Sequence, residues 1–387
     1  MLNITVAADG SGDFASVSEA VLAVPYACAA VIRIGPGVYR EKLVCEKQDI
    51  TLIGAGPDKT CIVWGDGGRL PHPDGRPTHT FRSYTAFFSG ERLRVEDLTI
   101  ENDAGPGAQV GQAVAAYVDS AHAAFVNVRL LGNQDTLFCA PLPEKEREKD
   151  GFLGPRGLAP RRPTAQYYQH CEIAGDIDFI FGGADALFEQ CTIRTVNNHL
   201  PASYVTAPSG RAEGLGFVFW DCDFVSDGCP AGTVFLGRPW RPTGKTAVLD
   251  CRLGAHIAPE GFSPWQSRTD SDLACFAEAG SARRLGEAAG QRPGRRPAQT
   301  GTETLQTGII AKKIKECIRD IYEKAAEFCQ MAHHPAGARG HGLDDVEGER
   351  PGFPGGDACT RQYIWDLPHD GFQFVNNFEW PPRALWP

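Results

Sequence analysis

The stretch of the chain that most strongly suggests chemistry is residues 167–183, which contain two acids. Asp176 and Asp178 lie two positions apart, so on a β-strand their side chains would point the same way. Asp178 is followed by an apolar run, and a carboxylate held among apolar neighbours is costly unless it is paired or functional. The stretch therefore predicts either a functional acid or a solvated turn acid beside a buried strand.

Further segments carry side chains that a fold alone does not explain. The segments are GQAVAAY, LLGNQDTLF and TVFLGRPWRPTGK, and their candidate residues are Gln112, Gln134, Asp135, Arg238 and Trp240. On its own, each candidate has an ordinary structural interpretation: a ladder amide, a turn acid, a salt-bridge partner or a core aromatic. Together with an acid of the first stretch they supply two carboxylic acids for a nucleophile and a proton shuttle, and two amides for an oxyanion. The arginine would hold a carboxylate, and the tryptophan would stack on a sugar.

A repeated spacing of apolar residues indicates the fold that must position these side chains. Apolar or small residues recur at positions i, i+3 and i+5, and the intervals between repeats are irregular. The repeats begin at Val95, Phe125, Tyr168, Phe188, Phe219 and Val248. A constant strand core with insertions of variable length is typical of an all-β protein folded as a right-handed, single-stranded parallel β-helix. Each coil would bury the same positions against the coil below.

Four cysteines share one position of this repeat: Cys171, Cys191, Cys222 and Cys251. Four cysteines could indicate a metal site, but these four lack the paired C-x-x-C spacing of a zinc site. We therefore expect a ladder of small, buried and reduced thiols inside the solenoid.

Two segments outside the repeat also have recognisable patterns. Residues 17–24 predict a short helix whose apolar face is formed by Val17, Ala20, Val21 and Val24. Residues 139–166 are rich in proline and charge, so we expect one long loop between two coils. A loop of this length on a rigid scaffold is usually functional, often as a wall of a cleft.

The composition excludes some classes of protein and sets an expectation for location. The chain has 387 residues and a formal net charge of −10, which argues against a nucleic-acid-binding protein. No apolar run is long enough to span a bilayer, so we expect no membrane partner. The 13 cysteines, an odd number without disulfide-scaffold spacing, and an N-terminus without signal-peptide features predict a cytoplasmic protein, with secretion as the alternative. We expect a monomer.

Five short segments, taken together, resemble the signatures of the pectin methylesterase family, the pectinesterases of carbohydrate esterase family 8. In chain order they are GVYRE (37–41), GQAVAA (111–116), QDTLF (134–138), DFIFG (178–182) and LGRPW (236–240). The resemblance extends from about residue 4 to about residue 280 and includes the late segment IAPEGFSPW (257–265). It implies the same parallel β-helix that the repeat predicts.

The resemblance also implies a catalytic set, carried over residue by residue. Asp178 matches the family's nucleophile and Asp135 its general acid/base. Gln112 and Gln134 match the amides of the oxyanion hole. Arg238 matches the arginine that positions the nucleophile and would keep it ionised, while the neighbouring negative charge would favour the neutral form of Asp135.

Substrate contacts are implied by the same resemblance. Trp240 matches an aromatic that stacks on the substrate, and Phe179 and Thr85 match residues that touch ligands in the family. Phe138 and Trp265 are further candidates for substrate binding.

The activity implied by the resemblance is removal of methyl esters from galacturonate units of pectin or methylated oligogalacturonides, with release of methanol. No metal or other cofactor is expected, and the chain has no G-x-S-x-G motif of a serine esterase. One departure from the family pattern is Tyr117, at a position where a basic residue is common.

Two other classes of function remain open. A pectate lyase on the same β-helix would use calcium and an arginine base, whereas here the acids are interleaved with amides and aromatics. A non-catalytic β-helix that binds acidic polysaccharide would not need this set of acids and amides. Measurement of methanol release separates the esterase from both alternatives.

The sequence predicts four successive regions. Residues 1–283 form the β-helix domain, and 284–307 form a polar linker. Residues 308–330 have the apolar periodicity of an amphipathic helix, and 331–387 form an irregular tail.

Overall fold

The structure is a computed structural model, and it describes residues 1–265, 273 and 275–283. The predicted linker at 284–307, the predicted helix at 308–330 and the predicted tail at 331–387 lie outside the described residues. These three regions remain predictions.

Short strands form nearly all of the regular structure in the described part of the chain. The first twelve are β1 (Leu2–Val6), β2 (Ala29–Ile34), β3 (Gly37–Arg40), β4 (Leu43–Cys45), β5 (Asp49–Ile53), β6 (Thr60–Trp64), β7 (Ala86–Glu96), β8 (Thr99–Asn102), β9 (Ala116–Val126), β10 (Arg129–Leu131), β11 (Leu137–Cys139) and β12 (Ala165–Gln169). The next twelve are β13 (Glu172–Gly175), β14 (Ile177–Gly182), β15 (Asp185–Glu189), β16 (Thr192–Thr195), β17 (Ser203–Pro208), β18 (Phe217–Trp220), β19 (Asp223–Ser226), β20 (Val234–Gly237), β21 (Thr246–Leu249), β22 (Arg252–Leu253), β23 (Phe276–Ala279) and β24 (Ala282–Arg283). The helices are α1 (Val17–Ala23), α2 (Gly107–Val110) and a 3₁₀ turn at Thr80–Arg82.

The strands stack as three parallel faces of one solenoid, and the central coils contribute a strand to each face. The first face contains β1, β2, β5, the second halves of β7 and β9, β12, β15, β18, β21 and β23. The second face contains β3, β6, β8, β10, β13, β16, β19, β22 and β24. The third face contains β4, the first halves of β7 and β9, β11, β14, β17 and β20. The parallel β-helix predicted from the repeat is therefore confirmed.

The bend from the first face to the second is made by one residue per coil in the left-handed backbone region. These residues are Asp97, Asn127, His170, Gln190, Asp221 and Asp250, with φ between 52° and 54°. Asn, Asp and His tolerate this conformation better than most residues. Some of their side chains also bond from coil to coil, as when Asn127 Nδ2 donates to Asp97 Oδ1 at 2.6 Å. This series of polar bend residues was not predicted from the sequence, although one of them follows the first strand of each repeat.

The interior of the solenoid is filled by identical positions of successive coils. Phe125, Tyr168, Phe188 and Phe219 stack ring on ring, with centroids 5.0, 4.7 and 4.5 Å apart along the series. All four rings are fully buried. Such stacked pairs add about 0.5–1.5 kcal/mol each beyond the burial of apolar area.

The cysteine ladder predicted from the repeat lies beside these rings. Cys171, Cys191, Cys222 and Cys251 are buried, and each thiol donates to a backbone carbonyl of the preceding coil at 3.3–3.6 Å. Burial raises the pKa of the Cys191, Cys222 and Cys251 thiols well above its ordinary value. These three thiols are therefore held in the protonated, unreactive form.

Helix α1 covers the interior near the N-terminal end of the solenoid. Its buried residues are Val17, Ala20 and Val21, and Val24 follows as a buried cap, which confirms the predicted apolar face. The Glu41 carboxylate accepts bonds from the first backbone amides of the helix at 2.9 and 2.7 Å, where a negative charge is favoured.

The long loop predicted at 139–166 runs between β11 and β12. Arg161 ties it together by donating to the carbonyls of Pro143, Arg156, Gly157 and Ala159. Arg156 forms an ion pair with the buried Asp119 of β9, so the loop is anchored to the solenoid.

No helix in the described part of the chain is long and apolar enough to cross a membrane.

We predict that native protein hides the ladder thiols while the exposed Cys28 reacts rapidly with a bulky thiol reagent. Burial keeps the reagent away from all four ladder thiols, and the raised pKa of Cys191, Cys222 and Cys251 also suppresses the thiolate that it needs. After denaturation without reductant, all 13 cysteines of the chain should titrate as free thiols. A lower count would indicate disulfides and an oxidising compartment, against the expectation of a cytoplasmic protein.

Candidate active site

The two acids predicted to do chemistry lie side by side on the third face. The register pairs Leu137 of β11 with Ile180 of β14, so Asp135 is level with Asp178 on the next coil. The backbone amide of Asp135 donates to the Ile177 carbonyl at 3.0 Å, which ties the two coils together at this point. Each acid is only 8% exposed.

Both acids have an unusual backbone conformation. The φ angle is 65° at Asp135 and 48° at Asp178, a region that non-glycine residues seldom adopt. Such conformations cluster at sites where the surrounding structure holds a side chain in place for function. The repeated coil hydrogen bonds on either side supply that restraint here.

Arg238 holds the carboxylate of Asp178 through two parallel hydrogen bonds. Its Nε donates to Oδ1 at 2.9 Å and its Nη2 donates to Oδ2 at 2.7 Å. The guanidinium is sandwiched by aromatic rings, 3.8 Å from the centroid of Tyr204 and 4.0 Å from that of Trp265. Stacking and a two-point bond fix the plane of the carboxylate.

Tyr204 is a residue of this site that the sequence analysis missed. It belongs to β17, the coil between Asp178 and Arg238, so the guanidinium must cross its ring to reach the acid. No motif contains it, and only the coil register places it beside the arginine.

Asp135 has an environment opposite to that of its neighbour. Burial raises the pKa of the Asp135 carboxyl well above its usual range. The negative charges of Asp178 and Asp176 raise the pKa further, and only the charge of Arg238 opposes them. Within the residues that the structure describes, the Asp135 carboxyl has no hydrogen-bond donor, so the neutral form is favoured.

Asp176, the other acid of the stretch 167–183, is a buried carboxylate that is paired with neighbouring hydrogen-bond donors. Its carboxylate accepts bonds from Asn198 Nδ2 at 2.6 Å and from the Ile177 amide at 2.7 Å, and the residue is 2% exposed. Strand β14 begins only at Ile177, and its register shifts between Ile177 and Ile180. The regular alternation that predicted both acids on one side therefore does not extend over the pair.

Gln112 and Gln134 lie just before β9 and β11 on adjacent coils, one residue apart in register, and both are half-buried. Among the described residues, neither side-chain amide has a hydrogen-bond partner. Glycines make room for them: a Cβ on Gly107 would lie 2.6 Å from Gln134 Oε1, and one on Gly68 would lie 3.1 Å from Gln112 Oε1. Two amides with free donors in the described structure therefore lie on the coil of Asp135 and on the coil before it.

The tryptophans predicted to bind substrate remain accessible. Trp240 and Trp265 are half-buried and pack against a second apolar cluster, on the outside of the third face. The aromatic members of this outer aromatic cluster are Phe81, Phe87, Tyr117, Phe138, Phe152 and Phe181. The Trp240 ring lies 5.8 Å from the ring of Phe181 and 6.4 Å from that of Phe152. Phe152 belongs to the long loop, which therefore forms a wall of this cleft.

Three other residues that the sequence predicted to contact substrate have fully buried side chains: Phe138, Phe179 and Thr85. Phe138 packs in the outer aromatic cluster, 4.8 Å from Phe181, and supports the cleft from beneath. Phe179 belongs to the interior core, and the Thr85 hydroxyl donates to the backbone carbonyls of Trp64 and Glu101. None of the three has side-chain surface to offer in this structure, and the expectation that they contact a ligand stays a prediction.

Comparison with known proteins agrees with this geometry. The sequence model of the Pectinesterase family matches residues 3–142 and 161–300. Pectinesterase 31 of Arabidopsis thaliana is 33% identical over 285 residues, which cover 71% of this chain and 81% of that protein. The chain belongs to the pectinesterase family.

Other relatives differ from this pectinesterase family member in length. The probable pectinesterase/pectinesterase inhibitor 64 of Arabidopsis thaliana is 34% identical over 290 residues, covering 68% of this chain but only 43% of that protein. The chain thus spans less than half of the relatives that carry the inhibitor name.

Solved structures give the same family likeness. The pectin methylesterase from carrot is similar with a TM-score of 0.58 at 29% identity, covering 73% of this chain and 86% of that chain. The pectin methylesterase PemA from Erwinia chrysanthemi has a TM-score of 0.58 at 24% identity, covering 75% of this chain and 91% of that chain, a likeness of fold alone.

Two features distinguish this pectinesterase from the family pattern. Residues 143–160 of the long loop lie between the two segments that the family model matches. Tyr117 is fully buried in the outer aromatic cluster, 4.7 Å from the Phe138 ring, so its position adds no charge to the cleft.

In the described part of the chain, no three or more His, Cys, Asp or Glu side chains are grouped to hold a metal ion.

Proposed function

We propose that the protein hydrolyses methyl esters on galacturonate units of pectin or methylated oligogalacturonides and releases methanol. The observation that carries the proposal is that Asp178 and Asp135 lie level on adjacent coils in different environments. The Asp178 carboxylate is bonded by Arg238, whereas the Asp135 carboxyl is buried without a hydrogen-bond donor among the described residues. Membership of the pectinesterase family supports the choice of ester.

Asp178 is the nucleophile in this proposal. The guanidinium of Arg238 stabilises its negative charge and orients the carboxylate, so that an oxygen lone pair can face an ester carbonyl in the cleft. Attack on the carbonyl carbon forms a tetrahedral intermediate with a negative oxygen. Loss of methoxide from this intermediate leaves an acid anhydride between substrate and enzyme.

Gln112 and Gln134 stabilise the negative oxygen in the proposed reaction. Their amides are half-buried and unengaged within the described structure; Gln134 directly precedes Asp135, and Gln112 lies on the coil before it. Removal of one pre-placed donor of this kind costs roughly 3–4 kcal/mol of transition-state stabilisation in a serine protease. Gly68 and Gly107 leave room for the two amides, because a side chain at either position would crowd them.

Asp135 is the general acid and then the general base. Because its pKa is raised, it holds a proton that it can donate to the leaving methoxide to give methanol. The ionised Asp135 then accepts a proton from water as the water attacks the anhydride. Hydrolysis regenerates Asp178 as a carboxylate and Asp135 as an acid.

Trp240 and Trp265 are the proposed substrate platforms. Both present an accessible ring beside the reactive acids, and aromatic faces are favourable surfaces for sugar rings. The monomeric state and the cytoplasmic location stay predictions from the sequence.

The function is tested by incubating the protein with methylated pectin and with short methylated oligogalacturonides. We expect methanol from both, at a rate that excess EDTA does not change, because the proposed chemistry uses only side chains. Loss of activity in EDTA together with unsaturated, ultraviolet-absorbing products would support the lyase instead. Binding without any product would support the non-catalytic alternative.

We predict that Asp178→Asn removes nearly all turnover, because an amide is a poor nucleophile. Arg238→Lys should also be severe, since lysine cannot reproduce the two-point bond. Asp49 and Arg92 form a similar pair on the surface, so Asp49→Asn and Arg92→Lys are matched controls that should keep activity. If Asp178→Asn kept more than about a tenth of the wild-type rate, a loss of under ~1.4 kcal/mol, the nucleophile would be another residue.

We predict that Asp176→Asn shifts the alkaline limb of the pH profile of kcat/KM to lower pH. The negative charge of Asp176 is one of the causes that raise the pKa of Asp135, so its removal lowers that pKa. Catalysis needs protonated Asp135, and its acid form then disappears at a lower pH. Asp58→Asn, at an exposed surface pair, should leave the limb in place. An unchanged limb in Asp176→Asn would contradict the assignment of Asp135 as the acid.

A further inference from the structure

One side-chain amide bridges the two turns that lead into the reactive acids. Asn198 lies in the segment between β16 and β17, and its Nδ2 donates to Asn133 Oδ1 at 2.8 Å and to Asp176 Oδ2 at 2.6 Å. Asn133 is two residues before Asp135. Asp176 is two residues before Asp178, and the register of the coils places the two pairs level. The amide therefore joins equivalent points on neighbouring coils.

The donor and acceptor groups of this bridge fix how each side chain is turned. An ionised carboxylate can only accept hydrogen bonds, so Asn198 presents its nitrogen to Asp176. That nitrogen carries two N–H groups, and the second one meets the amide oxygen of Asn133. Burial raises the pKa of the Asp176 carboxyl, and the bond from Asn198 opposes that rise by stabilising the ionised form. An apolar side chain at position 198 would supply neither bond.

The bridge lies where the ladder of strands is interrupted. Neither Asn133 nor Asp176 belongs to a strand, and the pairing of β14 with β17 shifts register after Ile177. Backbone bonds still cross between the turns, since the Asp176 amide donates to the Asn133 carbonyl at 3.0 Å. The Asp135 amide likewise donates to the Ile177 carbonyl at 3.0 Å. The Asn198 amide adds a tie between side chains at a point where regular strand pairing is broken.

The placement of one turn relative to the other matters because both acids act on the same ester. In the proposed reaction Asp178 attacks the carbonyl carbon, and Asp135 must then reach the leaving methoxide and later the attacking water. The two acids also have left-handed backbone conformations, with φ of 48° and 65°, which persist only where the surroundings fix them. A shift of about 1 Å between catalytic groups can slow a reaction roughly a hundredfold.

We propose that Asn198 is a positioning residue for the esterase reaction, because its amide locks the turn before Asp135 to the turn before Asp178. The inference rests on the proposed function, since it explains how the two acids of that function keep their relative placement. Asn198 does not touch the substrate in this proposal. It acts through Asn133 and Asp176.

The neighbouring Asn197 offers a matched control in the same segment. Both asparagines are half-buried. The Asn197 Nδ2 donates to the Gly228 carbonyl at 2.9 Å, and its Oδ1 accepts from the His199 amide at 3.0 Å. Asn197 thus ties the segment to the following coil instead of to the turns of the acids.

The test measures kcat and KM for methanol release by Asn198→Ala and Asn198→Leu. Both variants remove the donors, and leucine has the branching of asparagine, so it also keeps water out of the gap. We expect kcat to fall by roughly tenfold to a hundredfold in Asn198→Leu, and by less in Asn198→Ala if water replaces the amide. KM should stay within about twofold, since the proposed platforms Trp240 and Trp265 belong to other segments.

Asn197→Ala and Asn197→Leu should keep kcat even where they lower the temperature of thermal unfolding. Lost stability reduces the amount of folded enzyme, whereas lost positioning reduces the turnover of each folded molecule, so rates are compared per folded molecule. An equal fall of kcat in the Asn197 variants would show that any loosening of the segment slows the reaction. That result would overturn a specific role for Asn198.

An exchange of two side chains supplies a rescue. Asn198→Asp alone places a second carboxylate against Asp176, where like charges repel, and should lower kcat. In Asn198→Asp/Asp176→Asn the amide at position 176 donates to the carboxylate at 198, and Asn133 rotates its amide to donate as well. The exchange keeps the charge of the wild type. We expect it to recover at least about tenfold in kcat over Asn198→Asp, and no recovery would contradict the proposal.

Methanol release by the wild type decides the proposed function separately. If the wild type is active and both Asn198→Ala and Asn198→Leu keep its kcat, the esterase stands and the positioning role falls. If the wild type is inactive, the proposed function falls, and crystal structures of the wild type and Asn198→Leu decide the bridge. A displacement of residues 133–135 relative to 176–178 by about 0.5 Å or more would support the role of Asn198. Backbones that coincide within this distance would overturn it.

Discussion

The two-point bond between Arg238 and Asp178 depends on the register of the solenoid. The residues are 60 positions apart in sequence, and they meet because β14, β17 and β20 stack on one face. A slip of one residue in any of these coils would turn the arginine or the acid to the other side of the strand. The interior stacks of rings and thiols hold that register, so a feature with no catalytic role sets the geometry of the site.

The same stacking allows two neighbouring acids to differ in protonation. Asp135 and Asp178 are level on adjacent coils, and like charges at that spacing disfavour double ionisation. The guanidinium is bonded to only one of them, and burial raises the pKa of the other. The acid/base pair thus arises from an asymmetric placement of one arginine, without any metal ligand set in the described residues.

The sequence predicted the coils of the solenoid and the nearness of Asp135 and Asp178, whereas it did not predict the burial of the aromatic candidates, for a physical reason. Apolar spacing reports the interior of each coil directly, so the strands and the cysteine ladder could be read from it. Motif position does not report which way a side chain points near a left-handed residue such as Asp178, and Phe179 therefore lies in the core instead of the cleft. Tyr204 could not be predicted at all, because its role comes from a neighbouring coil.

The long loop at 139–166 shows how a β-helix accepts a large insertion beside its reactive acids. The loop leaves the stacked interior untouched, so the register of the coils does not depend on it. Arg161 bonds the loop to itself, and Arg156 ties it to Asp119 of β9. Phe152 of the loop reaches the Trp240 ring, so a segment that the interior does not constrain meets an aromatic residue of the candidate site. The surroundings of the site can therefore change through the loop without any change in the acids.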